Sequence, residues 1–184
     1  MNQISNFLGA LVAAVCIGAT AQIAIPLPEN FAAAPITGQT LAITISAFLL
    51  GKKWGSISIL LYLILGIMGA PLFSDFNSGM DVFLGPSLGY FIGFLVCAYF
   101  LGWWSENKST QFGPSLLAFF IGSLLILFIG MLGLLRYFDL KDALWKGVLP
   151  FLPGAIVKIF LASILIYVIQ RFKGLMNNEE LRNK

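Results

Sequence analysis

Hydrophobic and polar positions along this chain fall into long blocks. Uncharged runs cover 1–28, 30–51, 54–74, 82–105 and 109–135, and a further run, 147–170, holds a single charge. The shortest of the first five, 54–74, has 21 residues, and about 20 apolar residues suffice to cross roughly 30 Å of hydrocarbon. The blocks predict six helices, over 4–25, 37–51, 54–71, 83–104, 112–135 and 154–172. The second is shortened because its run opens with a proline-rich loop through Pro35, and the residue before a proline is pushed out of helix. The expected fold class is an all-α integral membrane protein, one six-transmembrane-helix bundle spanning 1–184.

The single charge in the last run is Lys158, inside LPFLPGAIVK at 149–158. A cation at membrane depth costs at least roughly 2.5 kcal/mol, so it faces a protein interior or a wet cavity rather than lipid. Prolines favour the first helical turn, where a missing N–H goes unnoticed. Pro150, Pro153 and Gly154 therefore start the helix near Gly154 and put Lys158 about one turn inside it. Nearby N-terminal N–H groups and the ammonium both favour an anion. The functional reading is a lysine that binds a substrate carboxylate; the structural alternative is a lysine that snorkels to the interface or pairs with an acidic loop residue.

Composition agrees with a membrane setting. Of 184 residues, 59% are hydrophobic and 10% charged, against about 25% charged in soluble domains, and mean hydropathy is +0.91. The net charge of +3 is scattered through loops and the tail, so nucleic acid is not an expected partner. Histidine is absent, which removes the commonest general base and metal ligand. Cys16 and Cys97 lie in apolar runs without partners at ligand spacing and read as small buried hydrophobes. Neither a metal nor a cofactor is expected.

Loop charges set the expected orientation. One side carries seven basic residues, Lys52, Lys53, Lys108, Arg171, Lys173, Arg182 and Lys184, and the other carries three, Arg136, Lys141 and Lys146, beside Glu29, Asp75, Asp81, Asp139 and Asp142. The positive-inside rule then puts both termini in the cytoplasm of a cell-membrane protein. Ala19-Thr20-Ala21 resembles a signal-peptidase site, but no Lys or Arg precedes the apolar core, so the first run is read as a retained span.

Four further stretches bear chemistry. Ala10, Ala14 and Gly18 form a small-residue ladder on one helix face; such a face admits a close backbone, either within the bundle or from a partner helix. PITGQT at 35–40 gives an extended entry, with the Gln39 amide in the first turn of the second helix. LFSDFNSG at 72–79 gathers Phe73, Asp75, Phe76 and Asn77 in one outward loop; Asn77 reads equally as a turn residue. GPSLGYFIG at 85–93 opens the fourth helix with glycines four residues apart, suited to close packing. The chain has no G-x-S-x-G, no H-E-x-x-H and no G-x-x-x-x-G-K-[ST]. It is not expected to be an enzyme, and uphill transport by it needs another subunit or an ion gradient.

In order and spacing, PLP at 26–28, PITGQT at 35–40, LLYLILGIMGAPLF at 60–73, LGPSLGYFIGF at 84–94 and LPFLPG with Lys158 four residues later resemble the BioY family. These are the biotin-binding S components of energy-coupling factor transporters. The resemblance implies capture of biotin from outside, a transmembrane coupling subunit and two ATPase subunits as partners, and a helix 1 ladder that contacts the coupling subunit. It places Lys158 and a loop amide, best matched by Asn77, in the pocket, with Gln39 and Tyr90 as further members. Phe31, Phe73, Phe76 and Tyr90 would wall the thiophane ring and valeryl chain. The chain departs from the family pattern at Ala155, where an aspartate is usual. Asp75 or Asp81 is expected to supply the missing carboxylate. Two alternatives stay open: another small vitamin or precursor carboxylate as ligand, and a scaffold that binds none.

Overall fold

The computed structural model describes residues 3–28 and 30–182. Glu29 and Lys184, two of the orienting charges, lie outside them. The order is α1 (Gln3–Ala21), β1 (Ala24–Ile25), β2 (Ile36–Thr37), α2 (Gln39–Ile67), α3 (Met80–Leu84), α4 (Leu88–Asn107), α5 (Phe112–Leu134), α6 (Leu140–Gly147) and α7 (Leu152–Arg182). Single 3-10 turns at Ser74–Phe76 and Leu149–Phe151 precede α3 and α7. β1 and β2 form a short antiparallel ribbon, with Ala24 opposite Thr37 and Ile25 opposite Ile36.

Among the described residues, five stretches are long and apolar enough to cross a membrane: α1, α2, α4, α5 and Leu140–Phe172. Of these, α2 is a hairpin rather than a rod. Gln39 Nε2 donates to the Tyr62 hydroxyl at 2.6 Å, although 23 residues of straight helix would hold them roughly 34 Å apart. Halfway between, Gly51 has φ 77 and ψ 176, a combination that essentially only glycine adopts. The arms 39–50 and 52–67 then return side by side, with Gly55 against the Ala47 backbone. Lys52 N donates to Glu106 Oε1 at 2.9 Å, so a carboxylate on α4 satisfies one of the second arm's unpaired first-turn donors.

Several expected boundaries move for local reasons. The first helix, expected to reach 25, ends at Ala21 because the chain turns into β1. The third, expected to reach 71, ends at Ile67, before Gly69 takes φ 105. The fourth, expected from 83, begins at Leu88, since Gly85 stops α3 first. The last begins at Leu152 rather than Gly154, which places Lys158 nearly two turns inside it. α6 was not expected; Asp139 caps it by accepting from Asp142 N at 2.8 Å.

α4 and α5 pack backbone to backbone. A methyl group at Gly89 would overlap the Ile129 and Gly130 carbonyl oxygens, and one at Gly93 would press on Ile126. The core holds Tyr62, Phe73, Phe119, Leu101 and Leu134, while a stripe of exposed apolar residues on α5, Leu117, Phe120, Leu124, Phe128 and Leu132, faces outward. An apolar exterior around an aromatic core suits a lipid surround. Cys97 is buried as expected, but Cys16 is exposed on α1.

Candidate ligand-binding site

The ribbon and the hairpin together build a cavity. The connection between β1 and β2 contributes Ala34 and Pro35, β2 contributes Thr37, and the first arm of α2 adds Gln39, Thr40 and Thr44. Phe73 and Ser74 come from the loop after α2, and Tyr90, Phe91 and Phe94 from α4. α5 contributes Phe119, Ser123, Ile126 and Leu127; Phe151 comes from the 3-10 turn before α7, and Ala155, Lys158 and Ile159 from the first turns of α7.

Its apolar part is an aromatic stack. Phe73, 1% exposed, lies 4.9 Å centroid to centroid from Phe91 and edge-on to Tyr62 at 5.7 Å. Phe91 in turn stacks on Phe83 at 5.6 Å and meets Phe94 edge-on. Such offset and edge contacts hold rings more firmly than area burial alone. The result is a stiff wall.

Its polar part centres on Lys158. Nζ donates to the Thr37 carbonyl oxygen at 2.7 Å and to Thr40 Oγ1 at 2.8 Å. An ammonium has three donors, so one remains for a ligand. Among the described residues no carboxylate lies within 4.0 Å of it; the ion pairs found are Lys52–Glu106 and Lys146–Asp142. Among the described residues the cavity lining contains no acid. It is therefore an aromatic chamber whose described lining is uncharged except for the half-buried Lys158, an arrangement that selects a ligand with an acceptor or an anion at one end and apolar rings along its body.

The sequence-derived candidates separate into two groups. Lys158, Gln39, Tyr90 and Phe73 all line the cavity. Two of these are already committed: Gln39 Nε2 to Tyr62, and the Tyr90 hydroxyl to the Gly147 carbonyl at 2.6 Å. Tyr90 thus offers its ring and Gln39 its Oε1. Asn77 and Asp75 do not line it. Both are exposed, because the 3-10 turn at Ser74–Phe76 directs them outward, and Asn77 Nδ2 closes that turn on the Ser74 carbonyl at 2.9 Å. Phe31 and Phe76 are 56% and 70% exposed and also stand outside. Asp81 is exposed as well, so neither loop aspartate supplies the carboxylate expected to compensate for Ala155, which does face the cavity beside Lys158.

Of the two readings of the helix 1 ladder, the structure shows close packing within the bundle. Ala10 and Ala14 are 0% exposed within this chain, and Gly18 is buried beneath Leu72. Internal packing uses that face, because α1 must approach the α2 hairpin closely. The sequence reading missed Thr40, Thr44 and Ser123. Ser123 was detectable as an isolated hydroxyl in the middle of a strongly apolar helix; Thr40 and Thr44 follow Gln39 on one helical face.

Residues 1–174 match the family model described as the BioY family. The chain belongs to the BioY family. Within it, the chain is similar to the biotin transporter BioY of Thermotoga maritima, 33% identical over 158 residues, covering 85% of this chain and 89% of that protein. It is also similar to the biotin transporter BioY2 of Lactococcus lactis, 35% identical over 142 residues, covering 76% and 78%. Among solved structures it resembles the S-component for biotin from an ECF-type ABC transporter, with a TM-score of 0.82 and 25% identity over 93% of this chain and 95% of that one. As a BioY-family chain with several apolar helices long enough to span a bilayer, it is a multi-pass membrane protein of S-component fold.

Proposed function

We propose that this chain is the biotin-capturing S component of an energy-coupling factor transporter. One observation carries the reading: a half-buried lysine with a spare donor, held by neutral oxygens at the end of an aromatic-walled cavity. Biotin has the matching parts, since its carboxylate and ureido carbonyl each accept from an ammonium and its thiophane ring and valeryl chain suit the Phe73, Phe91 and Tyr90 wall. Asn77 contributes indirectly, by holding the turn that presents Ser74.

Counting the two arms of α2 separately gives six crossings, with both termini cytoplasmic and the cavity opening outward, as the seven-to-three distribution of basic loop residues favours. The chain carries no nucleotide-binding motif, so a transmembrane coupling subunit and two ATPase subunits supply the energy. Titrating the purified, detergent-solubilised chain with biotin tests the reading. Saturable binding between nanomolar and micromolar, competed by desthiobiotin and not by unrelated carboxylates, is expected. A folded chain that binds no biotin overturns it. Ala155 and the acid-free lining favour one second reading, a different small carboxylate as ligand, which the same competition experiment reveals as a tighter competitor.

A further inference from the structure

The loop that brings Phe73 and Ser74 to the cavity takes an unfavourable path. Asp75 and Phe76 both have φ 58, a left-handed conformation that non-glycine side chains rarely adopt. Two such residues in succession persist only where their surroundings over-determine them. Their side chains do not supply that hold, since Asp75 is exposed and Phe76 is 70% exposed. Part of the hold is local, from Asn77 to Ser74 and from Phe73 N to the Asn77 carbonyl; the tie to the rest of the bundle comes from one amide just beyond the end of α1. Gln22 Oε1 accepts from Phe76 N at 2.8 Å, while Gln22 Nε2 donates to the Phe73 carbonyl at 3.0 Å, with a longer contact to the Pro71 carbonyl at 3.4 Å. Nε2 is itself anchored on the Gly18 carbonyl at 3.0 Å. A methyl group at Gly18 would collide with Leu72 of the same loop, so the end of α1 supplies both a seat and a clasp.

We propose that Gln22 is a positioning residue for the ligand cavity: it clasps the 71–76 loop to the end of α1 and so holds Phe73 and Ser74 closed over a bound ligand. Gln22 is not itself in the cavity lining. It acts on loop opening, and therefore on how fast ligand leaves, while the aromatic wall and Lys158 supply the contacts. The inference rests on the biotin-capture reading for its ligand, but the clasp has a readout that needs no ligand.

The test compares the full-length chain with Gln22→Met, which keeps the side-chain length and loses the two shorter hydrogen bonds to the loop together with the longer one to Pro71. Two quantities are read: the biotin dissociation rate with the number of sites, and hydrogen exchange at the 71–77 amides. About tenfold faster dissociation is expected, the scale of two hydrogen bonds, with an unchanged site number and lost protection at Phe76 N. Gln22→Glu keeps the acceptor for Phe76 N but sets a carboxylate oxygen against the Gly18 and Phe73 carbonyl oxygens; dissociation at least about threefold faster is expected, and it carries the test if Gln22→Met does not fold. A dissociation rate within about twofold of the parent, or fewer sites with unchanged dissociation from those that remain, overturns the proposal. If the parent binds no biotin, the biotin reading fails while exchange still judges the clasp. Lost protection in Gln22→Met then supports it, and unchanged protection overturns it.

Discussion

Two lysines, Lys52 at the turn of the α2 hairpin and Lys158 reaching its open end from α7, show how differently this bundle uses the same side chain. Lys52 follows the Gly51 turn; its side chain is 47% exposed, 3.8 Å from Glu106 Oε2, and its backbone N–H is held by the other oxygen of the same carboxylate. Lys158 meets the opposite end of the hairpin, half-buried, bonded to the Thr37 carbonyl and Thr40 hydroxyl and to no described carboxylate. At the first site every partner is internal, and solvent weakens the pairing. At the second a charge has been placed where it is costly and left incompletely satisfied. The first end closes a fold; the second end is ready for a ligand.

That contrast breaks most easily at Gly51. Gly51→Ala forces a side chain into a backbone conformation reserved for glycine and onto Glu106, so it should cost about 1–3 kcal/mol of stability. Thermal unfolding in detergent checks this; an unchanged midpoint would mean that the hairpin does not depend on that conformation. Ala155→Asp sharpens the other end. It adds an acceptor to the cavity wall one turn before Lys158, on the same face, and is expected to tighten biotin by about tenfold. Weaker binding by titration would instead show that Ala155 makes room for the ligand. Lys52→Met removes an exposed pair and should change stability by less than about 1 kcal/mol, with no change in biotin affinity. The smallest effect is expected from Asp75→Asn combined with Asp81→Asn: affinity within about twofold of the parent, because both carboxylates lie outside the cavity. A large loss there would show that the 71–81 segment rearranges around the ligand.

The sequence made some of this legible and hid the rest for identifiable reasons. Blocks without charge reveal apolar helices because hydrocarbon imposes a minimum length, and Lys158 stood out because intramembrane charge is rare. The hairpin was partly legible, since Lys52 and Lys53 interrupt the apolar run where the chain reverses. The small-residue ladder could not be assigned, because spacing reports close approach without saying to which helix. Asn77 and Asp75 were misplaced for a different reason. Residue type suggests pocket chemistry, yet Asp75 and Phe76 take left-handed backbone and the Asn77 amide is spent closing the turn on Ser74, and nothing in a polar loop announces that. Gln22 escaped notice because a lone amide after a helix acquires its meaning only from a partner loop 49 to 54 residues away.

The central claim is that a lone cation in an aromatic chamber recognises biotin. Equilibrium binding of biotin to the purified parent chain and to Lys158→Ala, both shown to be folded, tests it most directly. Loss of a charged hydrogen bond of about 1.5 to 3 kcal/mol should weaken the variant ten- to over a hundredfold. Equal affinity in the two proteins would contradict the account.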